Sequence, residues 1–205
     1  MKDFFKVVQE KLGFGQLPAL DNLEKYIDFA DRQAAFVSQV SLYTYIKTRA
    51  GTQWPKLFED EVYLVSMKIA RWHIFGASVI DLSIYLGALL VVKGGATPAQ
   101  AEAISSQVIK NILTDYDQDD LPAKTFNQMI KDGIARCANT DWHAMAEGPA
   151  AFQSSADALI SWTPIADELK DLDEEIVRNS IHMRWINVRR DIKDTLVPDP
   201  IIAAI

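Results

Sequence analysis

The stretch IFGASVIDLSIYLGALLVV, residues Ile74 to Val92, decides how the rest of the chain is read. As a helix it is long enough to cross a bilayer, which takes about 20 apolar residues. Arg71 and His73 precede it and Lys93 follows it. As a membrane span it would hold Asp81 near mid-bilayer, at a cost of about 3 kcal/mol on insertion scales. Ser78 and Ser83 would add further polar atoms. A helix enclosed by other helices is also apolar on every side, because no side meets water. The helical pattern extends upstream to Leu57, and several amphipathic segments elsewhere supply the enclosure. The expectation is therefore a buried central helix over residues 57–92, wrapped by its own chain.

Outward from this rod, glycine and proline punctuate the sequence where helices should start and stop. Asp21 with Glu24 is a capping-box-like pair opening a helix that runs to Arg49, and Gly51 breaks it. Pro55 introduces the central helix and Gly94-Gly95 ends it. Thr97-Pro98 opens the next, with Ile104, Val108 and Ile112 on one face. The acidic break Asp115–Asp120 leads to further helices over 123–138 and 150–161, separated by Trp142, Gly148 and Pro149. Thr163-Pro164 starts a long final helix over 163–196. Its apolar positions Leu169, Leu172 and Ile176 give way to Ile181, Trp185, Val188 and Ile192, which reads as one stripe drifting at the 3.6-residue period rather than a strict heptad. Acidic residues crowd its first half and basic ones its second, in the order that complements the helix dipole. A short amphipathic helix is expected over 2–12. With no strand pattern, the fold class is all-α: an irregular bundle of five to eight helices around the central one, forming a single domain over 1–205.

The chain has 205 residues, 49% hydrophobic and 24% charged, enough for a sizeable core without disulfides. Its net charge of -7 argues against nucleic acid as a partner, since such binding depends on neutralising phosphates. Cys137 stands alone, so neither an internal disulfide nor a cysteine-rich zinc site is possible. The N-terminal residues lack the unbroken apolar core of a signal peptide, and a cytoplasmic location is expected.

Sequence motifs for common chemistries are missing. None of His73, His143 and His182 follows a glutamate by three residues, as a di-iron bundle would require. The Asp115–Asp120 run has Asp120 where a calcium loop needs glycine. There is no phosphate loop, dinucleotide fingerprint or nucleophile elbow. Cys137 beside Arg136 reads as a buried core thiol rather than a nucleophile. No cofactor or metal is expected.

Two groups of residues stand out. A carboxylate inside a core must find a partner, take up a proton or face a cavity. Asp81 thus pairs with an arginine from another helix, such as Arg32, Arg49 or Arg184, or lines a polar pocket with His73, Ser78 and Arg71. The second group is the aromatic and basic corner of Tyr43, Tyr45, Lys47, Arg49 and Trp54, followed by Glu59 and Asp60. Tyrosine, tryptophan and arginine dominate interface energetics, although the same charges also make a local salt-bridged corner. The segments Ala34-Ala35-Phe36-Val37 to Lys47-Thr48-Arg49 and Phe58-Glu59-Asp60-Glu61 resemble helical proteins of α-proteobacteria. That resemblance implies a bacterial origin and transfers no catalytic motif.

Three functions remain open. The chain is a binding or assembly protein that meets a protein partner or its own copy through helical surfaces, with the apolar tail Pro200–Ile205 as one docking element. Alternatively it holds a small molecule, with or without catalysis, beside Asp81, His73 and Tyr43 or Arg49. Peripheral membrane attachment through Lys2, Phe4, Phe5, Lys6, Val8, Lys11 and Leu12 ranks last, because so short a helix binds weakly.

Overall fold

A computed structural model describes residues 18–114, 116 and 121–205. The expected helix over 2–12, and all of the Asp115–Asp120 break except Tyr116, lie outside the described residues. Among the described residues there are eight α-helices: α1 Leu23–Ala50, α2 Glu61–Gly94, α3 Pro98–Thr114, α4 Ala123–Ala138, α5 Trp142–Met145, α6 Gln153–Trp162, α7 Asp167–Thr195 and α8 Pro198–Ile202. The described residues contain no strand, only an isolated bridge between Leu20 and Leu196.

The apolar stretch lies in α2, which forms the axis. It is long and apolar enough to cross a membrane, yet most of its apolar stretch is buried within the chain. α1, α3 and α6 supply most of the cover, and α5, α8, α4 and residues 150–152 add to it. The neighbours also bond to its backbone. The Tyr26 hydroxyl on α1 donates to the Leu82 carbonyl at 2.7 Å, and the Ser105 hydroxyl on α3 donates to the Ser83 carbonyl at 2.8 Å.

Capping explains why α2 starts later than expected. Residues Gly51–Glu59, Pro55 among them, wind as 3₁₀ turns. The Asp60 carboxylate then accepts from the amides of Val62 at 2.9 Å and Tyr63 at 3.1 Å, satisfying free donors of the first turn. At the far end Gly95 takes φ 68°, the left-handed conformation that suits glycine, and its N–H returns to the Val91 carbonyl at 3.2 Å.

Two further boundary expectations need correction. Asn22, not Asp21, caps α1, accepting from the Lys25 amide at 2.9 Å while Asp21 bonds the Lys25 ammonium at 2.8 Å. The reciprocal capping box belongs to α3. There the Thr97 amide donates to Gln100 Oε1 at 3.0 Å, and the Gln100 amide donates to Thr97 Oγ1 at 3.3 Å. Thr163-Pro164 closes α6 instead of opening α7: the Thr163 hydroxyl turns back onto the Leu159 carbonyl, and the helix resumes at Asp167.

The tail also packs differently from a free docking element. Leu20 N–H donates to the Thr195 carbonyl at 2.9 Å and Val197 N–H donates to the Leu20 carbonyl at 3.0 Å. These bonds steer α8 against the end of α2, where Ile201 is fully buried. Gly94 permits that approach, since a Cβ there would come within 2.5 Å of Pro198.

Gly87 permits a similar approach by α5, because a Cβ there would lie 2.5 Å from the buried Trp142 ring. A rigid indole cannot yield cheaply, so overpacking should cost roughly 3 kcal/mol. At 2–4 °C per kcal/mol for a chain of this size, Gly87→Val should lower Tm by roughly 6–12 °C in a thermal melt followed by circular dichroism. An unchanged Tm would mean that Trp142 does not rest on α2.

Candidate functional site

Asp81 lies two-thirds of the way along α2 and is completely buried. Its partner is Arg136 near the end of α4, with Nη1 2.5 Å from Oδ1. Arg32, Arg49 and Arg184, the arginines named from sequence, are used elsewhere: Arg32 pairs with Asp28, Arg49 with Asp173, and Arg184 reaches Thr44 Oγ1 at 3.3 Å. The expected kind of partner is therefore present on a different helix.

The second Asp81 oxygen accepts from the Ser155 amide at 2.8 Å. Ser155 is in the first turn of α6, where amides have no partner within the helix. A carboxylate at that end also meets the positive pole of the helix dipole. Arg136 continues the network, donating to Ser154 Oγ at 2.7 Å and to the Ala151 carbonyl at 3.0 Å. The Trp185 indole N–H on α7 reaches Ser155 Oγ at 3.1 Å, and that hydroxyl donates to the Phe152 carbonyl at 3.2 Å. One buried carboxylate thus joins α2, α4 and α6, and through Ser155 also engages α7. Burial pushes the Asp81 carboxyl up from its ordinary value, while Arg136 and the Ser155 amide pull it down.

The four residues grouped from sequence do not converge. The Arg71 guanidinium lies 4.6 Å from the Trp72 ring centre. Ser78 is fully buried, and its hydroxyl has no hydrogen-bond partner among the described residues. His73 stacks on Trp162 with ring centres 3.4 Å apart, and burial lowers its pKa. It lines a cleft of about 260 Å³ with Met129, Asp132, Arg136, Ser154 and Trp162. Asp81 is not among the lining residues; Arg136 stands between it and the cleft. A small molecule there would meet an imidazole, an indole, the Asp132 carboxylate and a guanidinium already engaged by three acceptors. Among the described residues, no three His, Cys, Asp or Glu side chains are grouped to hold a metal ion. Cys137 is buried, which pushes its thiol up to about 11 and keeps it protonated.

The aromatic and basic corner is built, with Tyr45 buried, Tyr43 and Trp54 partly buried, and Lys47, Arg49, Glu59 and Asp60 exposed. Tyr43 meets Trp54 edge-on, and Trp54 meets Phe58 likewise, with ring centres 6.2 and 4.7 Å apart. Arg49 grips Asp173 of α7 with two nitrogens, instead of the acidic residues that follow it in sequence. Tyr45 is buried beside that pair, and burial, with the Asp173 carboxylate, pushes its phenol up to about 12. Asp60 is committed as the cap of α2. No family model, curated protein or solved structure matches the chain.

A feature missed in the sequence lies on α7. Val177, Ile181, Trp185, Val188 and Ile192 are buried, whereas Leu169, Leu172, Ile176, Met183 and Ile186 are exposed on the opposite side. The single drifting stripe is in fact two faces. The signal was present as a run of 3- and 4-residue spacings, but it merged with that of the inner face.

Removing Arg136 should expose the cost of the buried carboxylate. Arg136→Met leaves Asp81 without its counter-charge, and breaking such a pair costs about 3–5 kcal/mol. The folded pKa of Asp81 then lies still further above its unfolded value. Such a group stabilises the fold below the unfolded pKa and loses that contribution as pH rises through the folded one. Urea melts of the variant should show a larger deficit against the parent chain at pH 8 than at pH 5. A deficit independent of pH would deny that Arg136 neutralises Asp81.

Proposed function

We propose that this chain is a cytoplasmic helical assembly protein that works through protein–protein contacts, and that the outer face of α7 makes them. The two-faced character of α7 carries the proposal. Leu172, Ile176 and Met183 are 79%, 69% and 65% exposed, while the inner face of the same helix is buried. Single exposed hydrophobes are ordinary, but several along one helix face mark an interaction site. Several residues of the other candidate groups are engaged by the fold itself. Asp81 and Arg136 hold helices together, Arg49 holds α1 to α7, and α8 is tucked against α2. With a net charge of -7, the protein is suited to protein partners rather than nucleic acid.

A photoreactive amino acid placed at position 172 or 176, in cells that naturally produce the protein, tests this. It should yield a discrete protein–protein adduct, while the same group at the exposed Lys56 should not. Equal labelling at all three positions would remove α7 as the docking face.

A further inference from the structure

The outer face of α7 has a regular order. Leu169, Leu172, Ile176, Asn179, Met183, Ile186 and Arg190 succeed one another at alternating spacings of about three and four residues, the seam of a two-helix coiled coil. Every one of the seven is exposed. From Leu169 to Arg190 the seam is about 30 Å long at 1.5 Å per residue. Polar Asn179 stands at its middle, where a buried amide in a coiled coil sets register.

Charge along the helix is sorted by halves. By helical position Glu168 and Glu175 flank the seam before Asn179, and Arg190 and Lys193 stand along it after, where Asp191 and Asp194 also lie. Two such helices side by side in parallel would set like charge against like. Antiparallel, each acidic half meets the basic half of the other, at both ends of the seam.

We infer that the occupant of this face is a second copy of the chain, packed antiparallel along α7 about a two-fold axis near Asn179. The inference rests on the docking role proposed for α7 and names its partner. A two-fold contact is self-complementary, and a helix polarised end to end with apolar residues between its poles satisfies that condition alone. Other occupants fit less well. A helix over residues 2–12 would cover only about 16 Å, half of the seam. An anionic lipid surface would be repelled by the acidic half.

Sedimentation equilibrium of the full chain at tens of micromolar should return twice the mass of 23.0 kDa. Leu172→Glu with Ile176→Glu should return the single mass with an unchanged helical spectrum, since both side chains are exposed in the isolated chain. Orientation is read by cysteine cross-linking. Asn179→Cys should form a disulfide-linked dimer under mild oxidation. Leu172→Cys should not link to itself, because antiparallel packing sets the two positions about 20 Å apart along the axis. Linking at position 172 as readily as at 179 would mean parallel packing and overturn the inference.

A single mass for the parent chain would also overturn it, and the photoreactive group at 176 then separates the causes. An adduct with a different protein preserves the docking role and removes only self-association. An adduct within the same chain, into residues 1–17, or co-sedimentation of the chain with anionic vesicles, removes both.

Discussion

A helix that is apolar around its whole circumference leaves its own chain one stable arrangement in water: every side of it has to be covered. α2 imposes that demand, and the placing of the other helices follows from it. Removing apolar surface from water contributes about 25 cal/mol per Å². The helices with one wide apolar face, α1, α3 and α6, therefore settle along α2, and shorter pieces fill what they leave open. Where backbone must approach closely, α2 carries glycine: Gly87 under Trp142 and Gly94 under α8. The packing is a consequence of one hydrophobic rod meeting neighbours that are apolar on a single face.

Asp81 turns that general demand into a specific arrangement. Hydrophobic burial is non-directional and would accept several registers of α4 and α6 on α2. A buried carboxylate accepts very few. Its two oxygens need the Arg136 guanidinium on one side and the Ser155 amide on the other, and both come within reach only when α4 and α6 are correctly placed. A well-packed apolar residue would serve stability as well or better, so the pair is best understood as selecting one arrangement of helices. The same network explains why Arg136 has little donor capacity left for the cleft beside it. Arg136 faces the cleft with its donors directed into the protein.

α7 stands apart because it answers to two environments. Its inner residues join the core, and Trp185 reaches the Asp81 network through Ser155. Its outer residues are exposed and form a second stripe on the opposite side. The sorting of charge along it complements its own helix dipole, and the same sorting makes it complementary to its own reverse. These properties need no additional residues, only that the helix be long enough for both faces to be continuous.

Much of the architecture was legible in the residues themselves. The apolar run Ile74–Val92, the stops at Gly51 and Gly94-Gly95, and the start at Thr97-Pro98 are local signals, set by side-chain solvation and backbone sterics within a few residues. Helix class, helix order and the burial of the central rod follow from them. That a carboxylate so placed needed a partner, a proton or a cavity also followed, from the cost of an unpaired buried charge, and an arginine from another helix was one of the two readings. Which arginine it was did not, because the distance between Asp81 and Arg136 depends on how α2 and α4 cross, and no local pattern encodes a crossing. The same holds for α7. Sequence spacing shows that a residue is apolar, but only packed neighbours decide which of two apolar faces is turned inward and which is left in water.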